Sequence, residues 1–188
     1  MSNQPDRRHH SMGSYPGAVP EIGVWLWGMQ EVRAGLLDAL NRVEQAGFGQ
    51  WFLEWRGLDG DDNSVASLAY HVAHIEMDWL YSDMLMTPYP DDILELVPLG
   101  ARDEQGRLPH ITGLGFSELR ERLNRTRQRF LDVVSGLTLE EWGRAREPAG
   151  EDYAVTPAWI VFHLLEHESG HYFEIRRMAR KWLEARPV

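Results

Sequence analysis

The most informative segment of the chain has the sequence Thr156-Pro-Ala-Trp-Ile-Val-Phe-His163-Leu-Leu-Glu-His167-Glu-Ser-Gly-His171-Tyr-Phe-Glu-Ile175. Threonine followed by proline is typical of a helix start, because threonine caps the first turn and proline fits the first helical position. His163, His167 and His171 are spaced four residues apart, which places them on one face of that helix. Imidazoles one turn apart can bind the same metal ion, and a third ligand from another helix would complete an open site of the catalytic type.

A second apolar segment also carries histidines, and it has the sequence Ser64-Val-Ala-Ser-Leu-Ala-Tyr-His71-Val-Ala-His74-Ile-Glu76-Met-Asp78. So many histidines in apolar segments are hard to attribute to core packing, because each buried neutral imidazole needs hydrogen-bond partners. His71, His74 and Asp78 share roughly one helix face, so each is a candidate for the third ligand. A member of this set that does not reach the ion would hold a ligand's second nitrogen or face a substrate.

Four long segments show apolar residues at helical spacing. They cover residues 21–45, 64 to about 86, 117–136 and 156 to the C-terminal end. Ser64 and Ser117 are typical N-cap residues, and Thr138 opens a capping box for a short additional helix. No alternating strand pattern and no internal repeat accompanies them. The pattern therefore predicts an all-α protein, a four-helix bundle, and facing helices of such bundles commonly build metal sites in the core.

The remaining segments predict the domain organisation. Residues 1–20 are polar and rich in proline, glycine and serine, so we expect a flexible N-terminal arm, with His9 and His10 in it. Residues 21–188 are expected to form a single bundle domain, which agrees with the length of the chain. The connection between the second and third helices, residues 87–115, is long enough to form a lid or a pocket wall. His110 lies in it and is given no role.

Composition excludes several classes of function. A net charge of −10 argues against nucleic acid as a partner, because phosphate binding needs a basic face. No apolar run reaches membrane-spanning length and no signal peptide opens the chain, so we expect a cytoplasmic protein without a membrane partner. The chain has no cysteine, which excludes disulfides, zinc–thiolate sites and a cysteine nucleophile. Any thiol chemistry must therefore use a thiol that arrives with a small-molecule substrate.

The segment from His167 to His171 also matches H-E-x-x-H, the zinc metalloprotease motif, in which the glutamate, here Glu168, is the general base. The context of that motif is missing. One form requires a glycine and a histidine further on, where this chain has Glu174 and Arg177. The other form takes a glutamate from a later helix, for which too little chain remains. The third ligand is therefore expected upstream, on the second helix.

The histidine pattern resembles that of the DinB/YfiT-like superfamily of four-helix-bundle metalloproteins, whose relatives include bacillithiol S-transferases and mycothiol-dependent maleylpyruvate isomerase. That family places one histidine on the second helix with an acid five residues later, as His71 and Glu76 are placed here. It places two more ligands four residues apart on the fourth helix, as His167 and His171 are placed. The resemblance covers most of the chain in helix order and spacing, and the fourth-helix motif is its most specific part.

The resemblance implies a site and a set of partners. The ligands would be His71, His167 and His171, the metal nickel or zinc, and the assembly a homodimer. His163 would then lie beside the site as a supporting or core residue. The segment Tyr172-Phe-Glu replaces the Arg-Gly-Gln that usually follows the last ligand in the family. For that reason, the substrate of a well-known relative does not transfer to this chain.

Three functions remain open at this point. The resemblance favours a thiol S-transferase, in which the metal stabilises the thiolate of a low-molecular-weight thiol as the nucleophile. The alternative enzyme is a hydrolase that uses a metal-bound water, with Glu168, Glu76 or Asp78 as the base. The third reading is a metal-binding, stress-related protein without turnover.

Overall fold

The computed structural model describes residues 10–57, 60 and 62–184. Part of the predicted arm, residues 1–9 with His9, and residues 185–188 at the predicted end of the fourth helix lie outside the described residues. Within the described part of the chain, the helices are α1 (Pro20–Gln45), α2 (Gln50–Glu54), α3 (Val65–Asp78), α4 (Asp91–Leu96), α5 (Phe116–Val134), α6 (Leu139–Gly143) and α7 (Pro157–Glu184). A π-helical segment, Trp79–Leu85, continues α3 without a break.

The four long helices form the bundle, as the sequence predicted. The helix α1 packs against α7 and α5, and α3 packs against α5 and α7. The ring of neighbours is therefore α1, α7, α3, α5, which makes α3 and α7 adjacent along one seam. Over the residues described, the extended pairing is limited to an isolated bridge between Arg146 and Val155. The all-α fold class is confirmed.

The core follows the apolar stripes of the sequence. Leu26, Leu36 and Leu40 of α1 are fully buried, as are Leu123 and Phe130 of α5. Burial of each such side chain is worth about 1.5–3 kcal/mol relative to exposure. Because the same stripes face one another across the bundle, they fix which face of each helix points inward and which residues line the seam between α3 and α7.

Most of the predicted helix starts are in place, and one is wrong. The hydroxyl of Ser64 accepts a hydrogen bond from the backbone N–H of Ser67 at 3.1 Å, and Thr138 forms the expected capping box. The α5 helix, however, begins before Ser117. Its N-cap is Gly115, whose backbone N–H donates to the Glu118 carboxylate at 2.8 Å. Serine at position 117 fits an N-cap by type, but the carboxylate two residues after the true start supplies the stronger local bond.

The long connection between the second and third long helices is more structured than a loop. It contains α4, and it buries Leu96 and Ile111 against the bundle. The Tyr70 hydroxyl accepts a hydrogen bond from the backbone N–H of Leu99 at 2.7 Å, which fastens the connection to α3.

No helix among the described residues is both long enough and apolar enough to cross a membrane.

Candidate metal centre

Three histidines converge at the seam between α3 and α7. We call them the histidine cluster, and its members are His71, His167 and His171. Each offers a ring nitrogen, and these donor atoms all lie within 4.8 Å of one another. The Nε2 atoms of His167 and His171 are 3.2 Å apart, and their ring centroids 4.6 Å apart. The His71 ring lies 5.0 Å from the ring of His167 and 5.3 Å from that of His171.

The local sequence explains this convergence. His167 and His171 are one turn apart on α7, so their side chains project in the same direction. His71 is only 4% exposed and reaches them from the neighbouring helix α3. Two ligands from one helix and one from the next is the ligand pattern of an open, three-histidine metal site.

The protonation state of the cluster suits a metal ion. Burial, together with the neighbouring imidazoles of His167 and His171, lowers the pKa of His71 to about 3. Burial and the proximity of His171 and His163 lower the pKa of His167 to about 4. Both rings are therefore neutral at pH 7, which is the form that binds a metal.

The cluster also has an unmet bonding requirement. The Nδ1 atom of His71 is buried and makes no hydrogen bond to any described residue. Buried polar atoms are rarely left in that state, and a missing partner is often an ion or a water. The orphaned nitrogen, the neutral rings and the short donor separations together fit a divalent cation.

The other two candidates for the third ligand lie elsewhere. His74 is buried beside two tyrosines, with its ring 6.2 Å from Tyr70 and 6.3 Å from Tyr89, and burial lowers its pKa. The Asp78 carboxylate accepts hydrogen bonds from the Ser82 and Tyr89 hydroxyls, each at 3.0 Å. The structure therefore joins His71, and neither His74 nor Asp78, to the histidines of α7.

His163 belongs to an aromatic wall that leads away from the cluster. Its ring is stacked on Trp159 at 5.0 Å with an interplanar angle of 9°, and it meets Trp79 edge-on at 5.0 Å. Its ring centroid is 6.0 Å from that of His167. Tyr153 extends the wall by packing on Trp79 at 6.3 Å. His163 thus lines the approach to the cluster and is absent from the set of converging donors.

Behind the cluster lies a buried network that we call the ionic quartet. It contains one residue from each long helix, and all four are less than 5% exposed. Its members are Arg33 of α1, Glu76 of α3, Arg127 of α5 and Glu168 of α7. Two positive and two negative charges make the network neutral, which is the condition under which buried charges are tolerated.

Each arginine of the quartet bonds to both glutamates. The Nε atom of Arg33 donates to Glu168 at 2.5 Å, and its Nη2 donates to Glu76 at 3.1 Å. The Nε atom of Arg127 donates to Glu76 at 2.5 Å, and its Nη2 donates to Glu168. Burial raises the pKa of Glu168, but the charges and hydrogen bonds of the two arginines outweigh it and hold that pKa below its usual range.

The position of Glu76 and Glu168 inside the ionic quartet affects the prediction that either could act as a catalytic base. Both carboxylates, Glu76 and Glu168, are occupied by guanidinium groups and point into the core rather than toward a substrate. The lowered pKa of Glu168 makes that carboxylate a weak proton acceptor. The sequence analysis named both glutamates but missed their partners, Arg33 and Arg127. The only signal in the sequence is that each arginine interrupts an apolar stripe at a core-facing position, which does not identify its partners.

The comparisons with known proteins agree with the fold and identify the family. The sequence model of the DinB superfamily matches residues 30–175, a span that holds the histidine cluster and the ionic quartet. The chain therefore belongs to the DinB superfamily.

A curated relative is also similar. The chain is 25% identical over 132 residues to the uncharacterized protein YkkA of Bacillus subtilis strain 168, and the match covers 69% of this chain and 73% of YkkA.

Proposed function

We propose that this protein is a metal-dependent S-transferase in which the histidine cluster holds a divalent ion, nickel or zinc, and a low-molecular-weight thiol is the co-substrate. The observation that carries the proposal is the convergence of three donor nitrogens within 4.8 Å from two helices. Such an ion, when bound, stabilises a thiolate over a thiol and so supplies a nucleophile near neutral pH.

The residues of this chain define what the protein itself contributes. Because there is no cysteine, the attacking sulfur must belong to a small molecule. Three neutral imidazoles leave the ion its full positive charge, since none of them brings a compensating negative charge. The aromatic wall of Trp79, Trp159 and His163 flanks the cluster and offers an apolar surface to a bound substrate on that side.

One observation separates this proposal from the hydrolase. A hydrolytic mechanism needs a base beside the attacking water, and the three acids that the sequence offers for that role are already bonded to other side chains. Glu76 and Glu168 are bonded to arginines, and Asp78 accepts hydrogen bonds from two hydroxyls. Glu174 also contacts the cluster, at 3.4 Å from Nδ1 of His171, where it can orient that ring. A thiol transfer depends less on such a base, because a thiol is more acidic than water and, bound to a metal, would release its proton to solvent near neutral pH.

The test begins with the metal content of protein purified without added metal. We expect close to one nickel or zinc ion per chain. Metal-loaded protein is then offered bacillithiol, mycothiol, glutathione or a simple thiol, together with a haloaromatic electrophile or an ester. The proposal predicts thiol consumption that requires the metal and that disappears in His171→Ala, whereas His110→Ala, a change at an exposed histidine, retains it.

Two outcomes would replace the proposal. Ester cleavage that proceeds without a thiol would establish the hydrolase. Stoichiometric metal without turnover across the whole panel would establish a metal-binding protein without catalysis.

The proposal includes a cellular setting and an assembly. Small thiols are kept reduced in the cytosol, so the protein is expected there. We also propose a homodimer, supported by the exposed pair Trp25 and Phe162, which meet edge-on at 6.4 Å and are each more than 40% exposed. Light scattering that gives the mass of a single chain would reject the dimer and leave the transferase proposal unaffected.

A further inference from the structure

We infer that the ionic quartet is a positioning device that sets the register of the two ligand-bearing helices, α3 and α7, and thereby the geometry of the metal site. The inference rests on the proposed function, because it concerns the same site. It adds four residues that do not touch the metal, namely Arg33, Glu76, Arg127 and Glu168.

The first argument is the distribution of the quartet over the helices. The two glutamates lie on α3 and α7, which are the helices that carry the histidines. Glu168 directly follows His167, and Glu76 lies five residues after His71. The two arginines lie on α1 and α5, so they tie both ligand-bearing helices to the other half of the bundle.

The second argument is the regularity of the bonding. The Nη1 atom of Arg127 donates to the backbone carbonyl of Met29 at 2.6 Å, and Nη1 of Arg33 donates to the carbonyl of Leu123. Each of these carbonyls belongs to the residue four positions before the other arginine. Each guanidinium is therefore held at three points on three different helices, and its planar donors allow little rotation.

The third argument is energetic. A buried ion network is weak evidence for stability, because an apolar core of similar volume is often equally stable or more so. The best-attested advantage of such a network is the selection of one register among several packings. An apolar bundle tolerates small shifts of one helix against another, whereas two carboxylates fixed by the same two guanidinium groups do not.

A register that is free to shift would affect the metal before it affects the fold. Two ligands come from α7 and one from α3, so a displacement between these helices changes the distance from His71 to the other two ligands. Loss of a group that hydrogen-bonds to a metal ligand typically weakens metal affinity 10- to 100-fold. Among the described residues, the quartet makes no bond to the histidines, and we expect its loss, which acts through the position of the ligand-bearing helices, to fall in the same range. The histidine cluster is the part of the structure that depends most directly on this register.

The neutrality of the quartet makes a clean experiment possible. The quadruple variant Arg33→Met, Glu76→Leu, Arg127→Met, Glu168→Leu removes two positive and two negative charges, so the net charge of the chain is unchanged. The matched control is Arg129→Gln with Asp92→Asn, which removes a half-exposed ion pair far from the histidines in sequence. Each protein is titrated with Co²⁺, and the affinity and the visible d–d absorption are recorded next to the helical circular dichroism signal.

We expect the quadruple variant to remain helical, to bind Co²⁺ 10- to 100-fold more weakly than the unchanged chain and to show a shifted d–d spectrum. The control should match the unchanged chain in both measurements. A helical quadruple variant with unaltered affinity and spectrum would overturn the inference and leave the proposed metal site standing. If the unchanged chain itself binds no Co²⁺, nickel or zinc, the proposed function fails first and takes this inference with it.

A second variant covers the case in which the quadruple variant does not fold. Arg127→Lys keeps the positive charge but loses the planar fork that reaches both glutamates and the Met29 carbonyl. A positioning role predicts a several-fold loss of Co²⁺ affinity and a changed spectrum in the folded variant. A spectrum and an affinity equal to those of the unchanged chain would contradict that role.

Discussion

The ionic quartet and the histidine cluster both bury polar groups between α3 and α7, and they differ in whether those groups are satisfied. In the quartet, every charge faces an opposite charge, and the remaining arginine donors reach main-chain carbonyls. In the cluster, imidazoles face one another, and Glu174 lies 3.4 Å from Nδ1 of His171. The Nδ1 atom of His71, like that of His74 outside the cluster, has no partner among the described residues. A network whose groups satisfy one another, which we call closed, needs no ligand. A network with an unpartnered buried nitrogen, which we call open, leaves a position that a ligand can fill.

The largest expected effect on stability comes from the removal of one arginine from the ionic quartet. Arg127→Met leaves Glu76 and Glu168 buried with one arginine between them. Removal of one partner from a buried ion network typically destabilises a protein by about 3–5 kcal/mol. We predict a loss of that size in the free energy of unfolding, measured by urea denaturation of the metal-free protein at pH 7.

The control for this change is Arg129→Met, which breaks an ion pair whose two side chains are 40% and 46% exposed. Exposed pairs contribute about 0–1 kcal/mol, so its unfolding curve should nearly coincide with that of the unchanged chain. Equal losses in the two variants would mean that the quartet is no more important to folding than a surface pair.

Binding of a metal to the histidine cluster should change the free energy of unfolding by a similar amount, in the stabilising direction. A ligand that binds only the folded state stabilises it by about 4 kcal/mol when its free concentration is 1,000 times its Kd. We predict that zinc or nickel raises the free energy of unfolding by about this amount, and that His171→Ala abolishes the gain. The measurement is urea denaturation with a chelator and with buffered free metal.

His74→Ala is the matched control, because His74 is buried on the same helix as His71 but lies outside the cluster. It should keep the full metal-dependent gain. If His74→Ala loses the gain while His71→Ala keeps it, the assignment of the third ligand is wrong by about one helical turn.

The comparison of the two networks also shows which features of the structure could be predicted from the sequence. The spacing of His167 and His171 and the apolar stripes have local causes, so they predicted the bundle and the pairing on α7. The choice of His71 over His74 and Asp78 depends on how α3 is rotated against α7. The helix face alone left that choice open, and the structure shows that His71 is the one that meets the other two rings.

The partners of Arg33 are an example of what could not be predicted from the sequence. It lies seven residues after Leu26 and three before Leu36, which is a core position on α1. A single sequence does not show whether such a residue extends to the surface or finds a partner inside, because its partners lie 43 and 135 positions away along the chain. The contacts of Glu168 could not be predicted for the same reason, since its neighbour in sequence is a histidine and its neighbours in space are arginines.

The pH dependence of the metal-free protein offers a smaller and graded test. His71 has a pKa of about 3 in the folded state against an ordinary value of 6.5, so the unfolded chain binds more protons between these two values. Stability is therefore fully present above about pH 6.5 and is lost as the pH falls toward 3. The slope for one such group approaches about 1.4 kcal/mol per pH unit.

We predict that His71→Leu makes this slope shallower, as measured by urea denaturation of metal-free protein at several values of pH between 4 and 8. The exposed His110 supplies the comparison, since His110→Leu should leave the slope unchanged. A steep slope that persists in His71→Leu would show that other groups dominate the acid sensitivity.

The smallest effect is expected at His163, which separates the aromatic wall from the histidine cluster. Its ring stacks on the half-exposed Trp159 and does not join the converging donors, so His163→Ala should retain close to one metal ion per chain. Loss of a partly exposed stacking partner should reduce the free energy of unfolding by about 0.5–1.5 kcal/mol. Metal analysis and urea denaturation measure the two quantities on the same sample. Complete loss of metal in His163→Ala, with full retention in His171→Ala, would move the metal site one or two turns toward the start of α7 and away from His71.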